Sequence, residues 1–202
     1  MYHIILASES PRRKEIMETM GIPYTVIAAN VIEEVEETVP SEMVQALSRL
    51  KTEAVAAKLS DNKVEDKDVI IIGADTMVFY KEHALGKPKD KADAERMLQM
   101  ISDDVHEVYT GVSIIIRNNH KVHHISFAVC TKVVVQPLTT EQIRDYIAYG
   151  EPMDKAGAYA IQGRFGIYIK EIIGDYYNVV GFPIAKIYET LLGYGIDIKK
   201  LN

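Results

Sequence analysis

Ser8, Pro11, Arg12 and Arg13 follow directly on the chain's first apolar run, within Leu6-Ala7-Ser8-Glu9-Ser10-Pro11-Arg12-Arg13. A strand ending at Ala7 and a helix starting at Pro11 would leave free backbone N–H groups at the helix start, an end that attracts anions. Ser8 adds a hydroxyl donor. Arg12 and Arg13 add permanently charged, bidentate donors matched to phosphate oxygens. The stretch reads as a phosphate cradle; the plainer alternative is a capped helix with two solvated arginines.

Three further segments carry groups that could work on a phosphate ester. Gly73-Ala74-Asp75-Thr76 follows the most apolar run of the chain. Ligands of open α/β sheets bind beyond the carboxyl ends of such strands. There Asp75 could hold a metal or act as a general base, or it could simply end the strand in a turn. In Leu85-Gly86-Lys87-Pro88, the glycine and proline constrain the backbone around Lys87, which could hold a phosphate or serve as a surface lysine. In Asp154-Lys155-Ala156-Gly157-Ala158-Tyr159-Ala160-Ile161-Gln162-Gly163, small residues allow close backbone approach. The Gln162 amide offers both an acceptor and donors, which suits the edge of a pyrimidine base. The acidic run Glu33, Glu34, Glu36 and Glu37 could lend one carboxylate to a cation. Lys51 lies in a helical stretch and would be exposed unless it has an anionic target.

Several elements must position these groups. His3 to Ala7 reads as a buried strand, Arg12 to Met20 as a helix capped by Ser8 or Ser10 and stopped by Gly21, and Tyr24 to Ala29 as a second strand. A long helix runs from Ser41 to about Leu59, and Asp61 to Lys67 is a polar loop. Val69 to Gly73 reads as a central strand, apolar on both faces. Met77–Tyr80 and Glu82–Leu85 form a small hairpin. A helix over Lys91–Ile101 precedes long strands at Glu107–Arg117 and Val122–Val135, joined at Asn118-Asn119. Thr139-Thr140 caps a helix to about Tyr149, Ala158–Gly174 is strand-like, and a last helix runs from Pro183 to about Leu192. The pattern is α/β with a mixed sheet.

Composition sets limits. The 202 residues are 48% hydrophobic and 26% charged, with net charge −6 and pI about 5.5. A broad nucleic-acid surface is therefore not expected, and any polyanion site must be a local basic pocket. The single cysteine, Cys130, excludes an internal disulfide or a cysteine zinc site and reads as a small apolar strand residue. No run approaches the ~20 apolar residues of a membrane span, and the N-terminus lacks a signal-peptide pattern, so a cytoplasmic location is expected. His123 and His124 lie on opposite faces of a strand. No Walker loop, Gly-x-Gly-x-x-Gly or Gly-x-Ser-x-Gly occurs.

Seven ordered segments, LASESPRR, a Glu after the second strand, GADT, LGKP, HEVYTGV, DKAGAYAIQG and GDYYNVVGFP, cover nearly the whole chain and resemble the Maf nucleotide pyrophosphatases. The resemblance implies one Maf domain over 1–202, of the Maf/inosine-triphosphatase type: a curved mixed β-sheet flanked by helices, with two lobes and a central cleft. It implies hydrolysis of nucleoside triphosphates to the monophosphate and pyrophosphate with a divalent cation, Mg²⁺ or Mn²⁺. The DKAGAYAIQG form is similar to the branch acting on dTTP and UTP; dUTP and modified nucleotides such as pseudo-UTP and 5-methyl-UTP are further candidates.

By the same resemblance, Ser8, Arg12 and Arg13 bind the phosphate chain. Lys51 and Lys87 neutralise its charge, Glu34 and Asp75 hold the metal, and Asp75 accepts the proton of the attacking water. Arg12, Thr76 and Gln162 match positions tied to substrate choice. The loop ANVIEEV is one residue longer than the family pattern, which leaves Glu33 as the alternative to Glu34. The expected partner is a small nucleotide, with no nucleic-acid polymer or membrane, and a homodimer is implied. The family's historical name, septum formation inhibitor, carries a rival reading as a nucleotide-binding regulator of cell division.

Overall fold

The computed structural model describes residues 2–61, 68–118 and 121–201. Most of the expected polar loop over 61–67 and Asn119 of the expected turn lie outside these. The architecture is α/β. A seven-stranded mixed sheet flanked by helices has the order β2-β1-β3-β5-β6-β7, with β4 on β3: β1 His3–Leu6, β2 Thr25–Val26, β3 Val69–Tyr80, β4 His83–Leu85, β5 Val105–Asn118, β6 Lys121–Val135 and β7 Ile169–Ile173. The helices are α1 Pro11–Thr19, α2 Pro40–Asp61, α3 Lys91–Ile101, α4 Thr140–Ala148, α5 Tyr176–Val180 and α6 Ile184–Gly193. The chain divides into two compact units, Met1–Asp75 with Thr110–Ala128 and Gly181–Asn202, and Thr76–Tyr109 with Val129–Val180.

In the first unit β1 runs parallel to both β2 and β3, with Ile4 opposite Ile70 and Leu6 opposite both Ile72 and Val26. Ile5, Ala7, Val69, Ile71 and Ile115 pack with Val55 and Leu59 of α2 in a buried cluster. Strands covered on both faces must be apolar throughout, which explains Val69-Ile70-Ile71-Ile72. Two glycines set the seat of α2. A Cβ on Gly111 of β5 would overlap the Val44 carbonyl, and one on Gly73 of β3 would lie 2.8 Å from Thr52 Cγ2 and 3.1 Å from the Ser48 carbonyl oxygen. The Thr52 and Ser113 hydroxyls, 2.8 Å apart, tie α2 to β5.

In the second unit β3 turns back into β4, with Val78 opposite Leu85, as the hairpin expectation required. Its core joins Ala94, Met97, Leu98 and Ile101 of α3 to Ile143, Tyr146 and Ile147 of α4 and to Phe165. Thr139 caps α4 in a reciprocal capping box with Gln142, and Asp90 caps α3 through the Asp93 amide.

Several expected boundaries are corrected. β3 does not stop at Gly73 but continues to Tyr80, because Val78–Tyr80 pair with β4. β2 keeps only two residues of the expected Tyr24–Ala29. Beyond it the Ala28 carbonyl accepts from Lys58 Nζ at 2.6 Å, and Asn30 adopts a left-handed φ of 50°. Ala158–Gly174 is strand only from Ile169; 3₁₀ turns occupy Ala156–Ala158 and Arg164–Tyr168. Gly157 at φ 71° and Ala158 at φ 61° break strand geometry there. Cys130 does lie in β6, but it is exposed. α5 had no counterpart in the periodicity; five residues are too few to show one.

Candidate active site

α1 begins where Pro11 removes an N–H that the first turn would leave unpaired. Ser10 occupies the cap position without a side-chain bond. Ser8 Oγ instead accepts from the Ser10 amide at 3.3 Å and from Arg13 Nη1 at 2.9 Å. With its oxygen accepting from the arginine, the Ser8 hydroxyl keeps its hydrogen to donate elsewhere. Arg13 Nε donates to the Gly181 carbonyl at 2.8 Å, within the GDYYNVVGFP segment. Arg13 is thus buried and held from two sides, while Arg12 beside it is only half-buried. Burial pulls the Arg13 guanidinium pKa down; Asp75 pushes it back up, Arg12 pulls it down and Glu33 pushes it up. The opposing carboxylates keep a buried cation tolerable.

Asp75 lies inside β3, not beyond its end, so the strand-end argument for it is corrected. The pleat supplies the actual reason. Residues two apart share a face of a strand, so Gly73 and Asp75 both face α2. The absent Cβ at Gly73 lets α2 come close, and Lys51 of α2 meets the carboxylate: Nζ lies 2.5 Å from Asp75 Oδ1. Both side chains are 12% exposed. Lys51 is therefore not a solvated helix lysine. The same Nζ lies 3.0 Å from Glu33 Oε1. Glu34 lines a groove with Glu36, Glu37, Arg49 and Glu53. Of the two neighbouring glutamates, Glu33 shares the ammonium with Asp75.

Ser8, Arg13, Glu33, Lys51 and Asp75 thus form one network in the first unit. Thr76, Lys87 and Gln162 belong to the second unit. There the Gly157 amide donates to the Gly86 carbonyl at 3.1 Å, joining the DKAGAYAIQG segment to the LGKP turn. A Cβ on Gly157 would press within 3.0 Å of Val78. Thr76 is half-buried, Pro88 is buried, and Lys87 and Gln162 are exposed.

Asp75 and Glu33 offer hard carboxylate oxygens of the kind that bind Mg²⁺ or Mn²⁺. Among the described residues no three His, Cys, Asp or Glu side chains form a metal cage. That donor set fits a cation held by one or two carboxylates and completed by water and substrate phosphates. Among the described residues no helix is long and apolar enough to cross a membrane.

An α/β sheet with a helix start, a buried arginine and a lysine-held aspartate places the chain in a class of proteins equipped with groups that suit phosphate chemistry. Comparison with known proteins narrows the class: residues 3–193 match the family described as Maf-like protein, and the chain belongs to that family. It is 49% identical over 201 residues to a dTTP/UTP pyrophosphatase of Lachnoclostridium phytofermentans, covering 99% of each chain. It is 48% identical over 205 residues to one of Agathobacter rectalis, covering 98% of this chain and all of the other. A dTTP/UTP pyrophosphatase of Bacillus anthracis is 45% identical over 203 residues, 98% of each.

Proposed function

We propose that the protein is a cytoplasmic nucleoside triphosphate pyrophosphatase acting on dTTP and UTP. One observation carries the chemistry: a nearly buried aspartate held by a lysine and felt electrostatically by a fixed, buried arginine. Triphosphate hydrolysis needs charge stabilisation, positioning and a proton acceptor. The relatives' names supply the substrate class.

In this reading Arg13, Arg12, the Ser8 hydroxyl and the start of α1 bind phosphate oxygens. Asp75 accepts a proton from the water that attacks the α-phosphorus. The bond from that phosphorus to the oxygen bridging to the β-phosphorus breaks, and pyrophosphate leaves with the electron pair. Lys51 holds Asp75 in place through its ammonium, and Lys87 offsets charge on the leaving group. Glu33, rather than Glu34, joins Asp75 in holding the divalent cation, which when bound supplies further positive charge to the phosphates. Gln162 reads the pyrimidine edge, with Arg12 and Thr76 contributing to substrate choice.

The test is pyrophosphate release from a panel of nucleoside triphosphates, dUTP and modified uridine nucleotides included, with Mg²⁺ or Mn²⁺. The reading requires turnover of dTTP and UTP and its loss in Asp75→Asn. Nucleotide binding without turnover in the wild type would refute it and leave a binding role.

A further inference from the structure

Glu151 lies outside every motif assigned above, yet it is wedged under the turn that carries Gln162. Its Oε2 accepts from the Arg164 amide at 3.1 Å. Its Oε1 is buried with no hydrogen-bond partner among the described residues. A Cβ built on Gly163 would coincide with that same oxygen. The Gly163 backbone, at φ −99°, is open to any residue, so glycine is required there for space and not for conformation. The turn is short: the Gly163 amide donates to Ala160, and the Gly166 amide to Gly163, each at 3.1 Å. Tyr146 anchors its start by accepting from the Ala160 amide at 3.3 Å. Burial, then the Glu151 charge, raises the Tyr146 phenol pKa, which places the carboxylate beside that hydroxyl as well. The exposed Gln162 amide thus rides on a backbone fixed at one end by Tyr146 and at the other by Glu151. A buried carboxylate is costly to keep, and its place under this turn calls for an explanation.

We infer that Glu151 is a positioning residue for base discrimination: its carboxylate fills the space beside Gly163 and holds the Arg164 amide, fixing the direction of the Gln162 side chain. The inference rests on the reading of Gln162 as the group that meets the base.

The test compares Glu151→Ala, Glu151→Gln, Gly163→Ala and Gln162→Ala. The first readout is the ratio of kcat/KM for dTTP over CTP; the second is inhibition by inorganic tripolyphosphate, which has no base. Glu151→Ala and Gly163→Ala are expected to lower the ratio roughly tenfold, as Gln162→Ala does, with tripolyphosphate inhibition unchanged. Glu151→Gln keeps a filled space and an acceptor for the Arg164 amide, and should stay within about twofold of the parent ratio. Glu151→Ala made in Gln162→Ala should add nothing, since the two act through one side chain. If Gln162→Ala leaves the ratio unchanged, the base-reading role itself fails and this inference with it. If Gln162→Ala lowers the ratio while Glu151→Ala does not, the inference alone is overturned. Should Glu151→Ala not fold, Gly163→Ala probes the same contact from an exposed position, and an unaltered ratio there overturns the inference equally.

Discussion

Gly73→Ala probes how the site is assembled. The added methyl carbon would stand 2.8 Å from Thr52 Cγ2, 3.1 Å from the Ser48 carbonyl oxygen and 3.4 Å from Lys51 Cβ. Thr52 has little freedom to turn away, because its hydroxyl is bonded to Ser113 and it is wholly buried. The helix itself has to recede, by about half an ångström for ordinary contact distances to be restored. Overpacking of this kind costs about 1–3 kcal/mol, which for a chain of this length lowers Tm by roughly 3–10 °C. The catalytic effect should be larger than that loss suggests, because Lys51 moves with α2 and the Nζ–Asp75 contact of 2.5 Å is the one disturbed. A displacement of about half an ångström corresponds to a fall in kcat of roughly tenfold. Pyrophosphate release at saturating dTTP, measured well below the variant's own Tm, separates the two effects. A lowered Tm with an unchanged kcat would show that the Lys51–Asp75 geometry does not limit turnover. An unchanged Tm would mean that α2 is not seated on β3 through this glycine.

Two further outcomes follow from side chains held by burial. Arg13→Lys cannot reproduce the bonds from Nε to Gly181 and from Nη1 to Ser8, so its KM for dTTP should rise roughly tenfold; steady-state kinetics showing parental KM would remove the fixed guanidinium from substrate binding. His106 is buried against the Tyr159 hydroxyl at 2.7 Å, and burial lowers its pKa from 6.5 to about 4, with Asp104 opposing. The unfolded chain then binds the extra proton between those values. Stability is fully present above about pH 6.5 and falls by up to about 3 kcal/mol as pH drops toward 4. Urea unfolding of wild type and His106→Gln across that window should show a shallower pH dependence in the variant, and equal slopes would refute the assignment.

Local chemistry made several features legible before any coordinates. Pro11 starting α1, Thr139 capping α4 and the apolar run of β3 depend on neighbouring residues and on burial of a whole strand. The pairing of Ser8 with Arg13 is local in the same way, since the two lie five residues apart and the arginine donates to the serine hydroxyl. The segment Ala158–Gly174 departs from the expected strand because left-handed backbone at Gly157 and Ala158 breaks extended geometry at its start, and a 3₁₀ turn occupies Arg164–Tyr168 before β7.

Spacing along the chain carries no information on which face of a helix a distant strand will meet. The helical pattern around Lys51 gave it no partner; the bare face of Gly73 brings α2 against β3, where Lys51 meets Asp75, and of the two glutamates it is Glu33 whose carboxylate reaches that ammonium. The residue types capable of phosphate chemistry were determined by the sequence alone. Their partners were decided only by tertiary packing, because close approach of backbones, set by two missing methyl groups at Gly73 and Gly111, is what converts scattered charges into a network.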